Sequence, residues 1–348
     1  MITTYEDIEE FRKKSRRKSI LSISLTLVLL VISFMLCMCI GNYTISPQEV
    51  LEALIGKGDA GSSTIILEVR LPRVLCAMLV GASLSISGLT MQSLFKNPMA
   101  SPSVLGISSG ASFGASLAIS FGLGSTILGS YSTPFMAFVM CFITMGLVYL
   151  IARTRYGIAT VTLLLAGVAV GAFFNGLVSM MQYIADEDTL AAIVYWTMGS
   201  FNKCTFDSFW ISVVPIAIGI VSLCLIHREL NMISAGEEQA ANMGVNVKTV
   251  RMIAIVGTSL CVAGATAIAG TIGFVGLIIP HVFRMIIGPN HKLLIPLCVM
   301  GGAVFLLLMD TLAKAAFSMS FPVGIFTALL GAPFFIYILK TRKKEIWE

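Results

Sequence analysis

Few residues in this chain could make or break bonds, and their placement argues against such chemistry. The three histidines, His227, His281 and His291, each stand near the end of an apolar segment. None is spaced with another His or a Cys as metal ligands are, and no nucleophile–base set stands beside them. They are expected to be interfacial polar residues. Of the acidic residues, Asp310 alone falls within an apolar stretch or at its edge. A lone carboxylate there is slim ground for a proton relay. The eight cysteines all lie in apolar segments except Cys204, so they are expected to act as small apolar residues. Gly is abundant, yet no G-x-x-x-x-G-K-[ST] phosphate loop occurs. No catalytic residue, no metal site and no cofactor bound by this chain are therefore expected.

Three other groups of residues suit recognition and movement. Arg70 and Arg73 flank Leu71-Pro72 at i and i+3. Arginine pairs directionally with carboxylates, so two of them one turn apart suit docking of an acidic partner, with lipid-headgroup anchoring as the alternative. Over Asn97–Ala115, Pro98 and Pro102 forbid a continuous helix, and a Gly/Ser run follows. The Asn97-Pro98-Met99 break suits a gate, whereas Ser108–Ala115 equally suits small-residue helix packing. The third group is a polar island, Asn231–Asn246, between two long apolar segments. Ser234 and Glu237 have capping-box spacing and Gly244 stands where a helix C-cap glycine belongs. This predicts a helix over Ala235–Met243, roughly 13 Å long, too short and polar to cross a bilayer and suited to serve as a peg for a partner.

The elements that hold these residues follow from composition. Of 348 residues, 57% are hydrophobic and 12% charged, about half the charge of a soluble domain. Apolar runs near 20 residues recur throughout, which makes this an all-α, polytopic membrane protein. Ten spans are expected: 19–40, 74–95, 104–122, 133–152, 158–183, 206–226, 250–269, a short eighth at 272–287, 293–312 and 323–339. They form one transmembrane domain, 19–340, between a basic tail, 1–18, and a short C-terminal tail, 341–348. The basic run Arg12–Lys18 precedes an apolar stretch too long for a signal peptide. With both termini cytoplasmic, every Lys and Arg except Lys57, Arg70, Arg73, Lys203 and Lys314 falls on the inner side. That bias accounts for the net charge of +5 without nucleic acid, and puts the polar island in the cytoplasm. Tyr195 and Trp196, near the outer acidic run Asp186–Asp188, suit an aromatic belt. Gly88, Pro98 and Gly106 are matched in spacing by Gly270, Pro280 and Gly288, which suggests inverted repeats of the transporter kind.

The segments Arg70-Leu-Pro-Arg73, Asn97-Pro98-Met-Ala100, Tyr195-Trp-Thr-Met-Gly199, Gly273-Phe-Val-Gly-Leu-Ile-Ile-Pro-His281 and Leu329-Leu-Gly-Ala-Pro-Phe-Phe335 closely resemble one family. It is the FecCD-type permease of ATP-binding-cassette importers for iron–siderophores, haem and cobalamin. The likeness runs in order from about Pro47 to Leu339. It implies ten spans with inverted-related halves in a prokaryotic cell membrane, and a dimer with a second copy or a sister permease. It also implies two separate ATPase subunits, which would bind ATP and Mg, and an extracytoplasmic substrate-binding protein. The loop 231–245 is implied to be the coupling region, with Ser234, Ala235, Glu237, Glu238, Ala241 and Gly244 as its contact residues. Arg70, Arg73 and Lys314 are implied to dock the binding protein, Lys314 standing where the family usually has Arg. The inner gate would comprise Asn97 and Met99 with Thr160 and Val161, the last two matched only through Leu163–Gly167. The cargo is expected to be a metal chelate, ferric siderophore on family frequency, with haem or cobalamin as alternatives. The rival reading, a proton-coupled secondary transporter, lacks intramembrane carboxylates.

Overall fold

The computed structural model describes residues 5–41, 43–125, 129–154, 157, 158, 160–316 and 321–341. Helix α1 (Tyr5–Cys39) is followed by α2 (Pro47–Leu54) and α3 (Ala60–Thr64). The π-helical run Ile65–Arg70 leads without a break into α4 (Leu71–Leu94). Next come α5 (Ile107–Ser120), α6 (Ser132–Ala152), α7 (Thr160–Ile184), α8 (Glu187–Met198) and α9 (Phe206–Leu225). The chain continues through α10 (His227–Ala235), α11 (Glu237–Asn242), α12 (Val247–Ala269), α13 (Val275–Ile287), α14 (His291–Ala316) and α15 (Val323–Thr341). Two-residue strands, Arg153–Thr154 and Gly157–Ile158, pair antiparallel between α6 and α7.

Each of the ten expected spans is a helix, and among the described residues seven helical stretches are long and apolar enough to cross a membrane. The expected boundary at residue 18 falls inside a helix, because α1 begins at Tyr5. The tail expected at 341–348 lies, apart from Thr341, outside the described residues.

Helix α4 is the axis of the bundle, with every residue from Val80 to Leu94 buried. A helix enclosed on all sides can be small-residue-rich, because each neighbour then approaches closely. Gly81 of α4 and Gly302 of α14 meet backbone to backbone, and Gly88 meets Gly276 of α13 in the same way. Helices α14 and α4 run past each other in opposite senses. One end of the bundle therefore gathers the C-terminus of α1, the N-terminus of α4 and the C-terminus of α14. The opposite end, about 39 Å away along the 26 residues of α14, gathers the C-terminus of α4, the N-terminus of α14, and α10.

The proposed correspondence of two Gly/Pro triplets fails at the level of residues. Gly88 is a helix-interior contact point, whereas Gly270 ends α12 at φ 69. Pro98 lies in a loop, whereas Pro280 is inside α13. Equal spacing in a glycine-rich chain here reflects different local requirements.

Outside the polar island, three helices were not anticipated, α2, α3 and α8. Helix α2 is opened by a full capping box, in which Ser46 Oγ accepts from the Glu49 amide at 3.3 Å and Glu49 Oε2 accepts from the Ser46 amide at 2.8 Å. Helix α8 begins after Asp186 with Glu187 and Asp188 in its first turn, so Tyr195 and Trp196 are carried on a 12-residue helix.

Candidate functional site

The polar island folds into two short helices instead of one. Ser234 does not cap. Its hydroxyl donates to the Leu230 carbonyl at 2.7 Å within the last turn of α10. The chain then breaks at Gly236, and α11 spans only six residues, Glu237–Asn242. The expected capping box therefore does not form, since Gly236 precedes the first helical residue and has no side chain to cap it. The expected C-terminus does form. Gly244 has φ +87, its amide donates to the Ala241 carbonyl at 3.0 Å, and the Val245 amide donates to Ala240 at 3.0 Å. That pair of bonds is a Schellman closure, which requires a left-handed residue where glycine stands.

Glu237 holds α11 in place from its other end. Its Oε1 accepts from Arg251 Nη2 of α12 at 2.6 Å. Ala240 is fully buried below, while Ala235, Glu238, Ala241, Asn242, Met243 and Gly244 are exposed. Met243 is 70% exposed, a large apolar side chain presented to whatever meets this surface.

The residues expected to form a gate lie at the same end as α11. Lys96 has φ +46, turning the chain sharply after α4. Asn97 then folds the loop on itself: its Oδ1 accepts from the Met99 amide at 2.9 Å, and its carbonyl from the Ala100 amide at 3.0 Å. The loop continues through a single 3₁₀ turn, Pro102–Leu105, and seats on α7, where Gly167 admits the Leu105 backbone. Met99 and Val161 are both exposed. Thr160 begins α7, and its side chain lies outside the described residues.

The three basic residues expected to dock a binding protein are engaged within the chain. Arg70 is only 6% exposed and turns inward. Its guanidinium donates to the carbonyls of Met38 at 2.5 Å and Cys39 at 2.9 Å, and to that of Tyr43. The Met38 and Cys39 carbonyls belong to the last turn of α1, where helical partners run out, although Cys39 also accepts from the Ile45 amide at 3.0 Å. The free guanidinium expected at Arg70 is therefore spent as a cap on α1. Arg73 forks onto Asp310, with Nη2 to Oδ1 at 2.7 Å and Nε to Oδ2 at 3.0 Å, and its Nη1 donates to Asn202 Oδ1 at 2.7 Å. Lys314 Nζ reaches Oδ2 of Asp310 as well, at 2.8 Å, from one turn further along α14. Asp310 is fully buried, so two cations hold one carboxylate and the cluster keeps one excess positive charge. The pairing also accounts for Asp310 as a structural counter-ion.

Comparison with known proteins decides the family. The model of the FecCD transport family matches residues 29–341. This chain belongs to the FecCD transport family. The molybdate import system permease protein MolB of Haemophilus influenzae is 37% identical, covering 90% of this chain and 94% of MolB. The vitamin B12 import system permease protein BtuC of Salmonella schwarzengrund is 35% identical over 94% of this chain and 97% of its own. A solved structure described as an inward-facing conformation of a metal-chelate type ABC transporter superposes with TM-score 0.82 at 35% identity. It covers 92% of this chain and 99% of that one. This FecCD permease is accordingly a multi-pass membrane subunit of the ABC importer class. Among its described residues, no three His, Cys, Asp or Glu side chains group as metal ligands would.

The network joining Asn231, His291, Ser93 and Arg284 at the peg end escaped the sequence reading of the permease. His291 Nδ1 lies 2.7 Å from Asn231 Oδ1, and Nε2 lies 2.6 Å from Ser93 Oγ. His291 is indeed interfacial in sequence, but it is buried in the fold. No local spacing could have revealed a contact between residues 198 apart.

Proposed function

We propose that this chain is the translocating subunit of an importer for a metal chelate, powered by two separate ATPase subunits docked on α10–α11. The observation that carries the proposal is the peg itself: a six-residue helix fixed at both ends, with an exposed apolar tip, at the same end as the Asn97–Leu105 loop. A structure that must receive a push needs such stiffness, since a loose loop would absorb it. In this reading the peg lies in the cytoplasm with both termini, as the basic bias implies. A second permease chain, identical or sister, completes the pathway. ATP and Mg belong to the partners.

Cargo would be delivered by an extracytoplasmic binding protein. Its acidic residues would meet the end bearing Arg73 and Lys314, whose surplus positive charge attracts them. Arg70 takes part only by shaping that end through its cap on α1. The differential contacts of the two states, inward- and outward-open, fall on Asn97, Met99, Thr160 and Val161. Ferric siderophore is the proposed chelate.

Proton-coupled transport is the weaker reading, because Asp310 is committed to two cations. The deciding experiment purifies the complex in detergent, reconstitutes it with its ATPase and binding protein, and measures uptake of ferric siderophore, cobalamin and molybdate. ATP-dependent uptake of the ferric chelate supports the proposal. Uptake driven by a pH gradient without an ATPase would overturn it, and ATP-dependent uptake of another cargo would overturn the siderophore assignment alone.

A further inference from the structure

We propose that His291 is a positioning residue that makes the peg and the gate helix move together, through a buried hydrogen-bonded chain Asn231–His291–Ser93. The inference rests on the reading of α10–α11 as the ATPase-facing surface.

Asn231 belongs to α10, the helix that leads into the peg. Its Oδ1 lies 2.9 Å from the backbone amide of His291 and 2.7 Å from His291 Nδ1. A backbone N–H can only donate, so the Asn231 atom is an oxygen, and Nδ1 must carry a proton to approach it. On the other side of the ring, Nε2 stands 2.6 Å from Ser93 Oγ. The guanidinium of Arg284 reaches the same Ser93 oxygen at 3.4 Å. Ser93 Oγ also lies 2.8 Å from the Leu89 carbonyl of its own helix, so its one proton is contested between Leu89 and Nε2. The ring is thus held from both sides: Nδ1–H donates to Asn231, and Nε2 is tied to Ser93.

Its members come from three elements. Ser93 sits in the last turn of α4, four residues before Asn97. His291 is the first residue of α14, where Asn290 fixes the turn by accepting from the Lys292 amide at 3.0 Å. Asn231 is on α10, which packs against both. Ser93 and His291 are buried at 0% and 1% exposure, so water cannot replace a broken bond. Buried polar groups are costly when unsatisfied. Ser93 can fall back on the Leu89 carbonyl of its own helix at 2.8 Å, whereas Asn231 and Ser93, which hold the two nitrogens of the His291 ring, lie on other elements. A displacement of α10 must either carry α14 and the end of α4 with it or take these partners from the ring. That preference for concerted movement is what coupling requires.

The test uses the assembled complex in proteoliposomes, with Met99→Cys as a reporter at the gate and the parent without that cysteine as background. Labelling by a membrane-impermeant maleimide is compared between the nucleotide-free and the ADP–vanadate-trapped states, beside the rate of ATP hydrolysis. His291→Asn keeps a donor near Nδ1 and loses Ser93; Ser93→Ala removes one hydroxyl; Asn231→Leu removes the acceptor; Asn231→Asp retains it. We expect the nucleotide-dependent labelling difference to fall at least about fivefold in the first three, with hydrolysis continuing and Asn231→Asp close to parent. Should His291→Asn fail to assemble, Ser93→Ala and Asn231→Leu decide. A parent-like labelling difference in these assembled variants overturns the inference. Failure of the underlying reading has another signature: Glu238→Arg with Met243→Arg on the peg would leave ATPase association unchanged.

Discussion

Glu237 and Arg251 form a 2.6 Å ion pair that fastens the first residue of α11 to the first turns of α12. The pair is 39% exposed on the glutamate side, so its contribution to stability is small, on the order of 0.5 kcal/mol. Its value is directional. The pair fixes where a six-residue helix, too short to hold itself, stands on the longer helix beneath it. Glu237→Ala should leave folding of the permease intact and raise hydrogen exchange of the α11 amides. ATPase association should weaken a few-fold. Unchanged exchange in α11 would show that Ala240 alone seats the helix.

Gly244 gives a sharper test of the same element. A Cβ there would meet nothing within 4 Å, so any effect of substitution is conformational and not steric. At φ +87 a β-branched residue costs about 1–2 kcal/mol, whereas Asn adopts this region more readily. Gly244→Val should release the Schellman closure and lower transport per ATP hydrolysed. Gly244→Asn should stay close to wild type. Equal behaviour of the two variants would count against the closure as the functional feature.

Asp310 is a buried carboxylate held by Arg73 and Lys314. Removing it leaves two cations facing each other with no anion between them. Breaking a buried pair from one side costs about 3–5 kcal/mol, so Asp310→Ala should lower the unfolding midpoint in detergent markedly. Lys314→Gln leaves the Arg73 fork in place and should cost far less. If Lys314 meets the binding protein, that variant should bind it several-fold more weakly in surface plasmon resonance. Unaltered binding would confine Lys314 to its structural pairing.

Arg70→Ala should detach the end of α1. Hydrogen bonds from a charged donor contribute about 1.5–3 kcal/mol each when buried, and three carbonyls lose theirs. Thermal unfolding followed by tryptophan fluorescence should show a clear loss of stability, partly recovered by Arg70→Lys. For this reason a charge reversal at Arg70 is a poor test of docking, because it would damage the fold first.

The ten spans were legible because a bilayer imposes a length and an apolarity that sequence cannot conceal. The peg was legible in outline for a related reason: polar residues between two spans have nowhere else to go. Its start was misplaced because Ser234–Glu237 spacing looks the same whether or not a glycine interrupts the helix at 236. Helices α2 and α8 were readable and missed. Ser46-Pro47 with Glu49, and Asp186-Glu187 followed by Gly199 at φ 71, are ordinary start and stop signals overlooked beside longer apolar runs. The inward turn of Arg70, the Arg73 fork onto Asp310 and the Asn231–His291–Ser93 chain were not legible. Each joins residues far apart in sequence, and their relation exists only once α1, α4, α10 and α14 are packed together.

The glycine contact between α4 and α14 has a mechanical meaning. Where Gly81 and Gly302 touch, no layer of side chains lies between the two backbones to be compressed or to change rotamer. The pair is also tied near both ends, by Arg73 to Asp310 at one and by Ser93 to His291 at the other. Two helices joined in this way behave as a single stiff beam. A tilt imposed on one end of this pair would then be carried toward the far end, with no wire of intermediate switches. Events at the two faces of the membrane become readings of one angle.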